Sequence, residues 1–199
     1  MTEEPSKNTT DGMIKTVSPD DPETQFQIAG KHHADGNQEA MLEWLEKAAA
    51  NGHHKAMTNL GLCCFFGDGL EQDYPRAYAL FKTASASNDL TARYYLSLCY
   101  LDGLGVDTDT DYAVRILWKC ASDGFHWAQF TLGECYEQGR GVKQDLFEAI
   151  SWYARAAQGD VPEANDRFRE LYYANEFTDK AGDKRLFWFE EENMSDDNL

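Results

Sequence analysis

Between residues 56 and 64 the strongest apolar positions step by four, at Ala56, Leu60 and Cys64. That spacing lays one buried stripe along a helix. The same stripe returns 36 residues on at Ala92, Leu96 and Tyr100, then at Ala128, Leu132 and Tyr136, and in thinner form at Ala164, Phe168 and Tyr172. Glycines hold the same register at Gly67, Gly103 and Gly139, and at Gly69, Gly105 and Gly141. Asp73, Asp109 and Asp145 follow them, and then Ala77, Ala113 and Ala149. Self-similarity at a period of about 20 to 50 residues marks a stack of identical supersecondary units.

Each unit reads as helix, loop, helix. The Gly-x-Gly triplets, such as Gly139-Arg140-Gly141, suit a helix stop where the chain turns through positive φ. Asp109 and Asp145 precede the next apolar run and fit N-cap positions, where a carboxylate meets the free N–H groups of a first turn. The second helix, for example Ala149 to Ala157, carries small residues at steps of seven and eight, which lets helices approach closely.

Residues 128–159 run Ala-x-x-x-Leu-Gly-x-x-Tyr-x-x-Gly-x-Gly-Val, then Asp, then Ala-x-x-Trp-Tyr-x-x-Ala-Ala-x-Gly. This pattern resembles the Sel-one-like repeat, a 36-residue cousin of the tetratricopeptide repeat. Residues 92–124 keep it with Ser97 in place of the Leu-Gly glycine, and residues 56–88 keep it with Cys64 in the Tyr column. Residues 24–52 have a loop shorter by about five, and residues 161–193 keep only Ala164, Phe168 and Tyr172. The resemblance implies an all-α, right-handed solenoid of about five antiparallel helix pairs. The units fall at about 24–53, 54–89, 90–125, 126–160 and 161–178. A terminal unit departs from consensus because its outer side faces water.

Composition changes the picture at the ends. The 199 residues hold 35 acids against 18 bases, a net charge of -17. Residues 1–23 and 179–199 each contribute -4, leaving -9 on the body. The first segment reads as a disordered acidic tail. The last, with Leu186-Phe187-Trp188-Phe189 before three glutamates, reads as a capping helix and acidic tail, with a binding motif as the other reading of the aromatic run. A surface this acidic repels phosphate backbones and anionic lipid, so nucleic acid and membranes are excluded as partners, while a basic protein is steered in. With no apolar leader or membrane span in the sequence, a cytoplasmic protein with reduced cysteines is expected.

Family resemblance implies a scaffold or adaptor that binds a polypeptide on the concave face. If the first helix of each pair lines that face, the residues flanking the buried stripe are the candidates: Leu62, Phe65 and Phe66, then Tyr94, Leu98 and Leu101, then Trp127, Phe130, Glu134 and Glu137. So apolar a row, rimmed by carboxylates, suggests a groove for a protein or peptide with apolar anchors and basic charge. The alternative is that a neighbouring unit covers these side chains.

Chemical sites are weakly signalled. The pairs His32-His33 and His53-His54 are adjacent rather than four apart, a poor metal geometry. Asp107-x-Asp109-x-Asp111 lacks the glycine of a calcium loop, with Tyr112 in its place. Cys63, Cys99 and Cys135 repeat with the period and read as packing groups. We expect no catalytic, cofactor or metal residues. The functional classes are an adaptor, then an acidic inhibitor of the immunity type that neutralises a basic partner, and last an enzyme.

Overall fold

The structure is a computed structural model and describes residues 20–159 and 161–174. These form nine helices: α1 (Pro22–Ala34), α2 (Gln38–Ala50), α3 (His54–Phe66), α4 (Tyr74–Ala84), α5 (Leu90–Asp102), α6 (Thr110–Ser122), α7 (His126–Gln138), α8 (Leu146–Ala156) and α9 (Pro162–Ala174). Extensive contacts join consecutive helices, α1 to α2 through α8 to α9. The array is a solenoid of four helix pairs followed by α9, each element touching mainly its neighbours. Any second helix of the fifth pair lies outside the described residues, as do residues 179–199 with their aromatic run. The first helix starts at Pro22, capped by Asp21, so the expected tail boundary at 23 falls inside α1.

The period is enforced at the loops. After α3, α5 and α7 the chain turns through Gly67, Gly103 and Gly139, with φ of 72°, 71° and 72°. The N–H of Gly67 and that of Asp68 both donate to Cys63 O, closing the helix end. The second glycine of each triplet meets the preceding unit. A Cβ on Gly105 would sit 2.4 Å from Tyr74 O, and one on Gly141 would sit 2.4 Å from Thr110 O. Tyr74 and Thr110 are the first residues of α4 and α6. Backbone therefore lies on backbone where one unit's loop crosses the start of the previous unit's second helix. At Gly69 the neighbour is the Gln38 side chain instead, on the first residue of α2.

Caps complete the units. Asp73, Asp109 and Asp145 accept backbone N–H groups of α4, α6 and α8. α3 is capped by His53, whose Nδ1 accepts from Ala56 N–H at 3.0 Å. Its Nε2–H then donates to Glu23 at 3.0 Å, while Phe26 stacks on the ring at 4.4 Å.

Inside each pair, small faces large. A Cβ on Gly61 would meet the Phe81 ring at 2.7 Å, and one on Gly133 would meet the Tyr153 ring at 2.7 Å. Both rings are fully buried. In the third unit Ser97 takes the glycine's position, and the residue in register with Phe81 and Tyr153 is Leu117. The extra side chain on one helix coincides with the lost ring on the other, as a core packed at crystal density requires. All five cysteines are buried and unpaired. Burial pushes the Cys63 thiol up to about 11 and the Cys99 thiol to about 12, so they act as small apolar groups.

Both Gly69 and Gly105 have positive φ, so alanine at either position carries left-handed strain of about 1–2 kcal/mol. At Gly105 the added methyl also strikes main chain, whereas at Gly69 it strikes a side chain that can move. Thermal unfolding is expected to show a larger loss for Gly105→Ala than for Gly69→Ala.

Candidate functional site

The first helices α1, α3, α5 and α7 form one face, and the exposed row on it is read from their solvent exposure. On α3 it runs Lys55, Asn59, Leu62, Phe66, and on α5 Thr91, Tyr95, Leu98, Asp102, with each of these at least partly exposed. On α7, Trp127, Glu134 and Gln138 continue it, while Thr131 is buried. The spacing of four, three and four keeps one helical face in view.

The sequence candidates divide across this row. Leu62 and Leu98 are half-buried within it, and Phe66 and Trp127 are 61% and 42% exposed. Phe130, Glu134 and Glu137 are half-buried. Phe65, Tyr94 and Leu101 are buried, a correction to the open groove lined by all of them. Phe65 is enclosed by the rings of Tyr74, Phe81 and Tyr95 at 5.3, 6.1 and 5.3 Å. Tyr94 packs on Phe125 and shares a hydrogen bond with Thr131 at 3.3 Å. Phe65 is covered by its own unit as well as by Tyr95 of the next, and Tyr94 and Leu101 belong to a core shared with α6 and α7; all three point one helical step away from the exposed row. Tyr95 and Asn59 were missed for the same reason. The four-residue step from Lys55 and Thr91 was the signal that could have found them.

A groove of about 440 Å³ opens between α1 and α3 with α2 at its base. Its apolar surface comes from Phe26, Ala29, Met41, Leu45 and Leu62, and its polar rim from His33, Gln38, Asn59 and Asp68. Gly30 creates the space. Counted from the N-caps Asp21 and His53, Gly30 occupies the place on α1 that Leu62 occupies on α3. A Cβ at Gly30 would meet nothing within 4 Å. Beside this groove, a wider depression of about 1040 Å³ runs past Phe26, Asn59 and Leu62 to Asp89 and Thr91.

The far end of the face is acidic. Glu137 accepts from the Tyr153 hydroxyl at 2.7 Å and is paired with Arg167. Glu134 stands next to it without a hydrogen bond or ion pair among the described residues, and burial, with the Glu137 charge second, raises its carboxyl above the usual range. A half-buried anion so placed is poorly solvated, and the charges of Arg140 and Arg167 offset only part of that cost. Among the described residues no group of three or more His, Cys, Asp or Glu could hold a metal ion, and no helix is long and apolar enough to cross a membrane.

A family model described as Sel1 repeat matches residues 30–53, 54–89, 90–122 and 128–161. Among solved structures the chain is similar to a protective antigen of uropathogenic Escherichia coli displaying an SLR fold, at 27% identity and a TM-score of 0.69, over 78% of this chain and 34% of that one. A Sel1 repeat protein from Oxalobacter formigenes gives 27% identity and a TM-score of 0.69 over 80% of this chain and 66% of its own. Helicobacter pylori cysteine rich protein B shares the fold at 19% identity and a TM-score of 0.50, over 62% of this chain and 93% of that one. The chain thus spans about a third of the first of these and just under two thirds of the second. No curated protein matches the sequence.

The raised carboxyl gives a pH test. Glu134 is penalised in its charged form only in the fold, so the penalty is full above the folded value and vanishes below the ordinary carboxyl value. Glu134→Gln is therefore expected to stabilise the protein at about pH 7, and the gain to disappear near about pH 4. Urea unfolding at the two pH values reads the difference.

Proposed function

Because this chain belongs to the Sel1 repeat family, we propose that it is a non-catalytic interaction module that holds a basic polypeptide on the face of its first helices. Proteins of this family generally serve as protein-interaction scaffolds. The observation that carries the finer reading is the groove at Gly30. Its volume of about 440 Å³ lies in the range of pockets that bury a ligand's surface, and its apolar lining suits one or two hydrophobic side chains of an extended or helical segment. Leu62, Leu98 and Tyr95 extend the apolar path toward α5, and Trp127 continues it on α7.

Charge supports a basic partner. The net charge of -17 steers a cationic chain toward the array from beyond contact distance. Glu134, half-buried and raised, supplies a local acceptor at the α7 end. A cation placed there would relieve a cost that the isolated protein carries, which favours association beyond simple attraction. An inhibitor that neutralises a basic partner would use the same charge but depend little on the apolar groove.

Substitution at Gly30 separates the two. The position has open space above it, so Gly30→Ala keeps the groove and removes a helix-interior glycine, which is worth about 0.5–1 kcal/mol of stability. Gly30→Leu fills the groove. With the full chain as bait in lysate of its source cells, a basic partner is expected to be retained by wild type and Gly30→Ala and lost by Gly30→Leu at low and at high salt. Retention by Gly30→Leu with release by salt alone would overturn the groove and favour charge neutralisation.

A further inference from the structure

On the side of the second helices, α5 floors a gap between the end of α4 and the side of α6, a depression of about 390 Å³ lined by Arg93, Leu96, Tyr112, Arg115, Ile116 and Lys119, with Ser85 at the edge. We propose that this depression is an anion site that takes a phosphate monoester. It lies apart from the groove of the first helices and does not depend on the reading of that groove.

Three cations converge here in a chain of net charge -17. Repeat packing does not call for them. In register, Arg93 corresponds to Met57 and Gln129, Arg115 to Ala79 and Ser151, and Lys119 to Thr83 and Arg155. Only the third unit brings all three together. None of them forms an ion pair with a carboxylate among the described residues. Asp111 in the first turn of α6 and Asp123 at its C-cap stand four residues from Arg115 and Lys119 without an ion pair to either among the described residues. Arg76, Arg140 and Arg167, by contrast, are all paired with acids.

The site is partly organised in advance. Arg93 Nε–H donates to Ser85 O at 3.3 Å, and its Nη2 donates to Ser87 O at 3.1 Å and Asn88 Oδ1 at 2.9 Å. These neutral acceptors fix the guanidinium without cancelling its charge. Arg115 lies over the Tyr112 ring, with 5.4 Å from Cζ to the centroid, and lines the depression as an exposed side chain with no ion pair among the described residues. Three positive charges, one of them held in place at Arg93, match a dianion better than a monoanion, and guanidinium groups bind phosphate oxygens in pairs. Leu96, Ile116 and the Tyr112 ring give the remaining wall an apolar character suited to a small organic body. The phosphate ester could be a free metabolite or a phosphorylated side chain of a protein.

Calorimetric titration of the full chain at low salt tests this with phenyl phosphate, benzoate and inorganic phosphate. The double variant Arg115→Gln, Lys119→Gln alters two exposed side chains, with Lys143→Gln as a control cation elsewhere and helicity checked for each. Saturable binding of phenyl phosphate, tighter than benzoate, is expected, with a loss of at least about tenfold in the double variant, equivalent to about 1.4 kcal/mol, and no change in the control. A phosphoserine peptide bound much more tightly than phenyl phosphate would assign the source to a modified protein, and phenyl phosphate bound without the peptide to a free ester. Absence of saturable binding, equal binding of benzoate, or a double variant that binds like wild type would overturn the proposal.

Discussion

The close approach of Gly105 to Tyr74 O and of Gly141 to Thr110 O is the constraint on which the array depends. Two stretches of main chain come together with no room for a methyl group. The loop of one unit is thereby seated on the first turn of the preceding second helix, and the distance from unit to unit is fixed. Conformation alone would not require this, since a positive φ can be met by asparagine as well as glycine. Contact and conformation together leave glycine as the only side-chain choice without strain. The charge of the aspartate caps then falls on the helix starts that the loops deliver, at Asp73, Asp109 and Asp145.

Once the spacing is fixed, side-chain size decides how the helices of a pair lean together. Gly61 faces Phe81 and Gly133 faces Tyr153, while Ser97 shares its unit with Leu117. The joints between first helices are sealed by residues about 31 to 37 apart, as where Thr58 donates to Asp89 at 2.7 Å and Tyr94 meets Thr131. Those seals use up Phe65, Tyr94 and Leu101, and what remains outside is the row of Asn59, Leu62, Tyr95 and Leu98. The candidate face is thus what the packing leaves over: it is whatever the unit joints leave uncovered, together with the hole at Gly30.

The periodic part of this was legible in the chain. Glycines, aspartates and alanines that recur at 36 residues do so because backbone contact, caps and close helix approach recur, and each can be recognised from residue type. The choice of outward stripe was not legible. Tyr94 and Tyr95 are adjacent and alike, and the contacts that bury Tyr94, with Phe125 and Thr131, come from residues more than 30 positions further along the chain. The Gly30 groove was hidden for a different reason. It lies in the unit whose loop, residues 35–37, is four shorter than the loop 67–73, so the 36-residue register does not place Gly30 beside Leu62. An absent side chain also leaves no mark in a hydrophobic pattern. The cations of the third unit were visible as residues, yet their convergence arises from α5 and α6 packing together.

The size pairing inside the units is tested most directly by a double-mutant cycle in urea unfolding with Ser97→Gly and Leu117→Phe. If helix spacing is set by small against large, Leu117→Phe alone overpacks the third unit at a cost of about 1–3 kcal/mol. Ser97→Gly then recovers most of that loss, a coupling of about 1 kcal/mol or more. Additive effects of the two substitutions would contradict it, and would mean that the pairs of the solenoid are spaced by something other than the residues that face each other across them.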